Sequence, residues 1–373
     1  MRDPLGVGMV GYGFIGKVHT YAYLSMPLFY DPVPCRTKLV GVCTAHMETA
    51  RKAQEQAGYE VATADYQDLL EREDIYIIDC CTPNVFHRDL VIDALRAGKH
   101  VYCDKPLAMD RREAEEIWGV AQEVGAKGQM AFEYRFVPAV MKAKALVEEG
   151  FVGEVLHFRA RYLHSGYVDP DRPMSWRLDR AMSGGGALFD LGSHAIDLVR
   201  HLVGEIEEVW ATTATFNPER PAGDGSGRRV RTELDELAIL NVRTTDGGVG
   251  IIEASRVATG TNDDLKVEIH GRRGAILYDH MNPNWLFAYD NTTKGEKGFQ
   301  QIETVQRYPK PAVLPAPKLT VGWMRYHVAS QFDFLRTIVE DREPSPGIYD
   351  GVRVQAVMEA AYRSAEEGRW VGV

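Results

Sequence analysis

A carboxylate and a histidine four residues apart, Asp190 and His194, form a pattern suited to proton transfer. They lie in a segment with apolar residues at helical spacing, which predicts a helix with one buried face. These apolar residues are Leu188, Leu191, Ala195, Leu198 and Leu202. On such a helix Asp190 can orient the His194 ring and stabilise its protonated form, as a general base for a hydroxyl requires. A solvated or capping pair fits the same spacing equally well.

Asp197 and His201 continue the polar stripe of this helix, and a structural role suits them better. One straight helix face cannot surround a tetrahedral ion, so we predict no metal site. Gly192 costs a helix about 1 kcal/mol relative to alanine, which indicates that another part of the chain approaches closely there.

Lys105 is a second candidate for chemistry, because it follows a short apolar strand in the sequence Cys103-Asp104-Lys105-Pro106. Parallel sheets bind ligands at the carboxyl ends of their strands, where this lysine would lie. Pro106 restricts Lys105 to an extended backbone. Without further context, an ordinary surface lysine is the simpler interpretation.

Gly11, Gly13 and Gly16 fit the pattern G-x-G-x-x-G between a buried strand and a helix. The first glycine suits a tight turn, the second close approach to a pyrophosphate, and the third close packing of helix and strand. The phosphates would then lie at a helix N-terminus. We therefore predict a dinucleotide-binding loop formed by Gly11, Tyr12, Gly13, Phe14, Ile15 and Gly16.

The place where an acidic residue usually binds the ribose hydroxyls, at the end of the second strand, reads Cys43-Thr44-Ala45-His46. Nothing there would repel a 2′-phosphate, and no arginine adjoins it; Arg51 and Lys52 follow on the next helix. We expect Thr44 at the cofactor and favour NAD slightly over NADP.

The first part of the chain alternates short apolar runs with helical patterns, which predicts a parallel sheet covered by helices on both faces. The predicted strands are 6–10, 38–43, 75–81, 100–103 and 127–131, and the predicted helices are 14–26, 47–58, 85–97 and 111–124. We assign residues 1–132 to a doubly wound α/β Rossmann domain that binds NAD(P).

Residues 133–373 are predicted to form an α+β domain for substrate binding and oligomerisation, with a large, mainly antiparallel open sheet. Its predicted helices are 138–149, 324–340 and 350–366, and its predicted strands are 154–163, 205–216, 235–243, 247–256, 264–270 and 274–278. Three stretches look irregular, namely 164–186, 217–229 and 290–318.

Composition limits the possible partners of this 373-residue chain. Its formal charge of −10 disfavours nucleic acid, and we find no apolar run long enough for a membrane span. The five cysteines show no Cys-x-x-Cys pair and suit reduced thiols. We expect a cytoplasmic enzyme.

Several motifs in order resemble the Gfo/Idh/MocA oxidoreductase family over essentially the whole chain. They are Gly11–Gly16 with His19, Thr82-Pro83-Asn84 with His87, Asp104-Lys105-Pro106, and Gly185–His194. Within the family, Met26–Phe29, Tyr134-Arg135 with Pro138–Val140, and Ser175–Arg177 are most similar to pyranoside dehydrogenases.

The resemblance implies that Lys105 and His194 share the proton of the reacting hydroxyl and that Asp190 binds a neighbouring hydroxyl. It also implies cofactor contacts from Thr82, Pro83, Asn84, His87, Asp104 and Lys105. The implied substrate contacts, besides Lys105, Asp190 and His194, are Tyr134, Arg135, Tyr162, His164, Trp176 and Arg177. Two positions depart from the family pattern: Asp104 replaces the usual Glu, and Glu133 stands where relatives often carry Asn.

The implied activity is reversible hydride transfer between a nicotinamide and a secondary hydroxyl carbon of a sugar, anhydrosugar or cyclitol, with C3 of a pyranoside as the best single choice. A homodimer or homotetramer is expected from the same resemblance. Two alternatives stay open: a glycosidase or lyase that recycles its NAD, and a sugar sensor that binds dinucleotide without turnover.

Overall fold

The computed structural model describes residues 3–305, 308–316 and 319–373. Its strands β1 to β17 are Leu5–Val10, Thr37–Cys43, Val61–Thr63, Ile77–Cys80, His100–Cys103, Gly128–Met130, Val155–Leu163, Ile206–Ala214, Glu219–Pro221, Arg229–Arg231, Leu237–Thr244, Val249–Ser255, Asp264–Gly271, Gly274–Asp279, Trp285–Asp290, Gln300–Glu303 and Val371–Gly372. The α-helices α1 to α10 are Phe14–Phe29, Met47–Ala57, Gln67–Leu70, His87–Arg96, Arg111–Glu123, Pro138–Glu148, Arg180–Ser183, Ser193–Leu202, Trp323–Glu340 and Ile348–Glu367. Within the described ranges, no helix is both long and apolar enough to cross a bilayer.

The chain divides into two compact units. The first unit comprises Met1–Phe136 and Tyr308–Val352, and the second comprises Val137–Arg307 and Arg353–Val373. The predicted boundary at residue 132 did not anticipate that the chain returns to the first unit near its C-terminal end. The assignment of nucleotide binding to residues 1–132 and of substrate binding and oligomerisation to 133–373 stays a prediction.

The first unit contains a six-stranded sheet in the order β3-β2-β1-β4-β5-β6. All of its strand pairs are parallel, and β1, β4 and β5 are buried along nearly their whole length because helices cover both faces. The predicted Rossmann architecture is confirmed.

Helix α9 explains why the C-terminal part of the chain belongs to the first unit. Its apolar residues Val328, Phe332 and Leu335 lie in one buried cluster with Ala22 and Met26 of α1. Burying such side chains stabilises the fold by about 1.5–3 kcal/mol each. Isolated, α9 would expose this face, so its docking on α1 completes the core of the first unit.

The second unit is built on a nine-stranded sheet in the order β16-β15-β14-β13-β7-β12-β11-β8-β17. Its pairs are antiparallel except β7 with β12, which confirms the predicted mainly antiparallel sheet. The interpretation of 217–229 as a loop was incomplete, because β9 and β10 form a hairpin there. The stretch 290–318 contains β16, and its residues 306, 307, 317 and 318 lie outside the described ranges.

The segment carrying Asp190 and His194 is helical, as predicted, but it is not one regular helix. Leu188–Gly192 forms a π-helical turn that continues into α8. A Cβ on Gly192 would lie 2.8 Å from Leu188 Cδ1 and 3.4 Å from Ala254 Cβ, which is the close approach that this glycine indicated. The π turn changes the angle between successive side chains, so the regular four-residue stripe assumed for Asp190 and His194 was wrong.

Candidate active site

The three glycines after β1 have different surroundings. Gly11 has φ +92°, and a Cβ there would lie 2.4 Å from the Cys81 carbonyl oxygen. A Cβ on Gly16 would lie 2.2 Å from the Gly11 carbonyl oxygen, whereas one on Gly13 meets nothing within 4 Å. The first and third glycines are thus required by the protein's own packing, and the second leaves open space beside the backbone.

The N-terminus of α1 suits an anionic ligand. It begins after Gly13 without a side-chain cap and without an acidic residue in its first turn, so its first N–H groups and the helix dipole favour a phosphate. Phe14, 72% exposed, stacks on Trp323 with ring centroids 5.7 Å apart, and Tyr12 meets Tyr59 edge to face. These features fit the pyrophosphate of a dinucleotide.

Thr44 immediately follows β2, where the ribose of a dinucleotide is expected. Its hydroxyl lies 2.6 Å from the Thr49 hydroxyl and donates to the His46 carbonyl at 3.0 Å. The exposed side of this loop therefore presents hydroxyl and imidazole groups in place of a carboxylate.

His87 joins the two loops that carry the remaining cofactor candidates. Its Nε2 lies 3.0 Å from the Thr82 carbonyl oxygen, and its Nδ1 lies 2.9 Å from the Pro106 carbonyl oxygen. Carbonyl oxygens only accept hydrogen bonds, so both contacts are satisfied only when the ring is doubly protonated. Burial by itself lowers the pKa of His87, but its interactions with Cys80, Asp104 and the Thr82 carbonyl together raise the pKa to about 9.

The side chains of Cys80, His87 and Cys103 place possible metal-ligating atoms within 4.8 Å of one another. A second such group is His19, Asp79 and Cys81. Both nitrogens of His87 already bind carbonyl oxygens, and His19 Nδ1 binds Asp79 at 2.8 Å. The geometry of both groups is that of hydrogen-bonded clusters, and the expectation of a metal-free site stays a prediction.

Lys105 follows β5, where the sequence placed it, and its amide donates to the Asp104 carboxylate at 2.9 Å. Glu133 follows the neighbouring strand β6 and is only 4% exposed. Burial raises the pKa of Glu133 to about 8. A backbone hydrogen bond and the Lys105 and His19 charges oppose this shift, and the Asp104 charge adds to it. His327 of α9 lies 3.9 Å from Glu133. We call Asp104, Lys105, Glu133 and His327 the lysine cluster.

Tyr134 and Arg135, predicted to contact substrate, are both buried in the first unit. The Arg135 guanidinium forms an ion pair with Asp350 at 2.8 Å. This pair ties the turn after β6 to the start of α10, so part of the guanidinium's hydrogen-bonding capacity serves the fold. Their contact with substrate stays a prediction.

In the second unit, Asp190 is held by two arginines. Arg256, 2% exposed, lies 3.1 Å from one carboxylate oxygen, and Arg177 lies 3.8 Å from the other. Arg177 also stacks on the Trp176 ring at 4.3 Å. The structure thus brings together three sequence candidates, namely Asp190, Trp176 and Arg177, and adds Arg256.

His194, 5% exposed, meets the Tyr162 ring edge to face with centroids 5.8 Å apart. The Tyr162 hydroxyl donates to Asp263 at 2.6 Å, and His164 Nε2 lies 3.1 Å from the same oxygen. His280 Nε2 lies 3.2 Å from the other oxygen. Burial alone would raise the pKa of Asp263, but hydrogen bonds from His164, His280 and Tyr162 hold it well below its usual range.

We call Asp190, Arg256, Tyr162, His164, Asp263 and His280 the carboxylate network. Sequence reasoning found Asp190, Tyr162 and His164 but missed Arg256, Asp263 and His280. Arg256 and Asp263 lie just outside β12 and β13, and a charged residue at a strand end is too common to stand out. Sequence reasoning also missed Asp235, whose carboxylate holds the start of the helical segment. It accepts hydrogen bonds from the Gly186 and Leu188 N–H groups at 3.0 and 2.8 Å.

Two family models match the N-terminal and the C-terminal parts of the chain separately. Residues 5–132 match the oxidoreductase family with an NAD-binding Rossmann fold, and residues 140–277 match the GFO/IDH/MocA C-terminal domain. Levoglucosan dehydrogenase of Pseudarthrobacter phenanthrenivorans is 35% identical over 99% of this chain and 98% of its own length. Inositol 2-dehydrogenase of Rhizobium meliloti is 27% identical, covering 98% of each chain.

A solved structure of levoglucosan dehydrogenase in complex with NADH and levoglucosan superimposes with a TM-score of 0.94 at 34% identity, covering 99% of each chain. The protein therefore belongs to the GFO/IDH/MocA family of oxidoreductases. The predicted family, the NAD cofactor and the enzyme class are confirmed, and the relatives include dehydrogenases of an anhydrosugar and of inositol. The roles assigned to individual site residues stay predictions.

Proposed function

We propose that this protein is an NAD-dependent dehydrogenase that oxidises a secondary hydroxyl of a sugar, anhydrosugar or cyclitol, with C3 of a pyranoside as the first position to test. The observation that carries the proposal is the 35% identity to a levoglucosan dehydrogenase along 99% of the chain, in a chain that retains Lys105, Asp190 and His194.

The two units supply different parts of this function. In the first, the open space at Gly13 and the uncapped start of α1 would hold the pyrophosphate of NAD. NAD, when bound, supplies the hydride acceptor. Lys105 and His194 would handle the hydroxyl proton, since amine and imidazole can both exchange protons near neutral pH when suitably placed.

The carboxylate network would recognise the hydroxyl pattern of the substrate. Asp190, fixed by Arg256, offers acceptor oxygens to a neighbouring hydroxyl. Asp263 fixes the Tyr162 and His164 side chains, which limits the rotamers that the site must order on binding. The Trp176 ring, stacked on Arg177, provides an apolar face for a sugar ring.

The same proposal extends to assembly and location. In the second unit an outward row of the large sheet runs through Trp210, Asn241 and Ile251, and both apolar side chains are more than a third exposed. Exposed apolar side chains such as Trp210 and Ile251 on a sheet face support burial against another copy in a homodimer or homotetramer. All five cysteines are unbridged, which supports a reducing cytoplasmic environment.

The test follows absorbance of the reduced nicotinamide while NAD and NADP are offered with levoglucosan, myo-inositol, glucose and several glycosides. We expect NADH formation with at least one of them, reduced at least about 10³-fold in Lys105→Ala. Arg111→Ala, which removes an exposed ion pair with Glu115, serves as the matched control and keeps wild-type turnover.

Product analysis by NMR then identifies the oxidised carbon. NAD binding without net NADH on any substrate would contradict the dehydrogenase and favour an NAD-recycling glycosidase or lyase if a glycoside is consumed. If nothing is consumed, a dinucleotide-binding sensor is favoured.

A further inference from the structure

Three arginine side chains lie over the ring of Tyr167 in the second unit. The Cζ atoms of Arg172, Arg256 and Arg220 lie 4.3, 4.9 and 5.8 Å from the ring centroid. Arg220 and Arg256 are buried, and the Nε atom of each has no hydrogen-bond partner among the described residues. The quadrupole of an aromatic ring attracts a guanidinium over its face, and more strongly where water is excluded. The Tyr167 ring is therefore a partner for both buried guanidinium groups.

Arg256 connects this ring to the Asp190 carboxylate. One of its terminal nitrogens lies 3.1 Å from Asp190 Oδ2, and the other donates to the Arg177 carbonyl at 3.2 Å. Its own backbone carbonyl accepts a hydrogen bond from the Tyr167 N–H at 3.0 Å. Tyr167 thus contacts Arg256 through both its main chain and its ring, which limits the positions that the guanidinium can occupy.

Tyr167 lies in the irregular segment that follows β7, and a buried ion pair holds that segment in place. Arg220 of β9 donates to the carbonyls of Tyr167 and Asp169, each at 2.8 Å, and pairs with Glu236 at 2.6 Å. Glu236 also accepts hydrogen bonds from two backbone N–H groups at 2.7 and 2.8 Å. A buried pair with this many hydrogen bonds orders the chain around it. The position of the Tyr167 ring is therefore set without a substrate.

We propose that Tyr167 is a positioning residue for substrate recognition, because its ring holds the Arg256 guanidinium that fixes the Asp190 carboxylate. This inference rests on the proposed dehydrogenase function, in which Asp190 accepts a hydrogen bond from a substrate hydroxyl. The Asp190 side chain is 23% exposed, so part of the carboxylate stays accessible to that hydroxyl. A carboxylate that is ordered in advance binds a sugar without a further loss of side-chain entropy. Tyr167 acts through Arg256 and needs no contact with the substrate.

The experiment compares KM and kcat of Tyr167→Leu and Tyr167→Phe, using the sugar that gives the fastest NADH formation with wild type. Phenylalanine keeps the face of the ring, and leucine removes it. We expect KM for the sugar to rise about 10-fold in Tyr167→Leu and to stay within about 2-fold of wild type in Tyr167→Phe. The values of kcat and of KM for NAD should stay within about 2-fold in both variants, because the lost contact weakens ground state and transition state equally.

Arg172→Met is the matched control for the order of the segment. This exposed arginine also lies over the Tyr167 ring, and it donates to the Gly166 carbonyl at 2.6 Å. Its loss loosens the same segment but leaves the ring beside Arg256, so KM for the sugar should equal that of wild type. A rise in KM as large as that of Tyr167→Leu would overturn the inference, as would equal effects of leucine and phenylalanine at position 167.

The double variant Tyr167→Leu/Arg256→Met tests whether Tyr167 acts through Arg256. Once Arg256 has been replaced, the further change of Tyr167 should raise KM for the sugar by less than about 2-fold. Independent effects of the two substitutions, which multiply in KM, would contradict the proposed role of Tyr167.

Crystal structures of the unliganded variants supply a readout that does not require turnover. The distance between Arg256 and Asp190 should stay near 3.1 Å in Tyr167→Phe, whereas in Tyr167→Leu the guanidinium should leave this position or adopt several conformers. An Arg256 that keeps its position in Tyr167→Leu would overturn the inference and leave the dehydrogenase intact. Wild type that turns over no sugar would instead overturn the proposed function, while the crystal structures still report on Tyr167.

Discussion

The lysine cluster and the carboxylate network shift the pKa of a buried carboxyl group in opposite directions. In the carboxylate network each acidic group has close partners: Asp190 has Arg256 at 3.1 Å, and Asp263 accepts from three side chains within 3.2 Å. In the lysine cluster Glu133 lies 3.9 Å from a neutral His327, and a backbone hydrogen bond together with the Lys105 and His19 charges only partly offsets the burial of its carboxyl. Partners hold the pKa of Asp263 low, whereas burial raises that of Glu133 to about 8.

This difference separates recognition from proton transfer. A carboxylate that stays ionised at all physiological pH values is a fixed acceptor and can define a hydroxyl pattern. A carboxyl that titrates near neutrality can change its charge during a reaction cycle. We therefore expect variants of the carboxylate network to alter substrate binding and stability, and variants of the lysine cluster to alter pH dependence.

The largest expected effect comes from breaking the best-partnered pair of the carboxylate network. Arg256→Met removes the guanidinium that lies 3.1 Å from the Asp190 carboxylate. Losing one member of a buried pair costs about 3–5 kcal/mol, and because Asp190 is 23% exposed on its side chain we expect about 3 kcal/mol of lost unfolding free energy, measured by urea denaturation. Arg272→Met, which removes the exposed pair with Glu154, should cost under about 1 kcal/mol. Equal losses of unfolding free energy in the two variants would show that the Asp190–Arg256 pair stabilises the fold no more than an exposed ion pair does.

His87 extends the comparison to a buried histidine whose pKa is raised by its surroundings. Its pKa of about 9 in the folded protein exceeds the usual 6.5, so its stabilising contribution is complete below about pH 6.5. It is lost as pH rises through about 9, and the total is of the order of 3 kcal/mol. His87→Gln should abolish this alkaline loss and weaken NAD binding about 10-fold, because the loops carrying Thr82 and Pro106 are no longer joined.

The measurement is urea denaturation at a series of pH values, with the exposed His46→Gln as control. Parallel curves for wild type and His87→Gln would mean that His87 is neutral in the fold.

Asp263→Asn tests directly whether the carboxylate network recognises the substrate. The amide keeps the size of the carboxylate, but only one of its two terminal atoms accepts hydrogen bonds. It therefore cannot accept hydrogen bonds from all three of Tyr162, His164 and His280. We expect KM for the sugar to rise about 10-fold, equal to about 1.4 kcal/mol, with the pH profile of kcat unchanged. The low folded-state pKa of Asp263 contributes stability above the unfolded value of about 4 that is lost as pH falls, so the variant should also be less sensitive to acid.

Asp264→Asn is the matched control for this variant, since the neighbouring carboxylate pairs with Arg161 and Lys266 instead. A shifted pH profile in Asp263→Asn would erase the distinction between the two regions.

The smallest change in stability is expected for Gly13→Ala. A Cβ there meets no atom of the protein within 4 Å, and the residue's φ of −77° suits alanine. Unfolding free energy should therefore change by less than about 0.5 kcal/mol, whereas the Kd for NAD, measured by calorimetry, should rise about 10-fold or more because the methyl group occupies space meant for the pyrophosphate. Unimpaired NAD binding would place the pyrophosphate elsewhere.

The sequence predicted those parts of the molecule that depend on neighbours along the chain. The glycine loop, the five parallel strands and the helix near His194 follow from local patterns of two, three or four residues. Strand β3 is only three residues long and half-buried, and β16 forms the edge of its sheet next to β15, so their patterns are weak. The π turn at Leu188–Gly192 was not predicted, because the apolar spacing of this segment is that of a regular helix.

The same dependence on local patterns explains which site residues could be predicted and which could not. Lys105, Asp190 and His194 stand in motifs, so their types and spacing marked them as candidates. Arg256 and Asp263 acquire their roles from partners far along the chain, and His327 acquires its role from the docking of α9 on α1. A single sequence carries no local sign of such pairings.

The return of the chain to the first unit has a consequence for its synthesis. Helix α9 supplies Phe332 and Leu335 to the core of the first unit and His327 to the lysine cluster. An emerging chain that has completed all six strands of the first sheet still lacks this helix. The apolar face of α1 therefore stays uncovered while residues 137–307 of the second unit are synthesised. The first unit begins folding first but finishes nearly last, and during that interval we expect the nascent chain to depend most on chaperones.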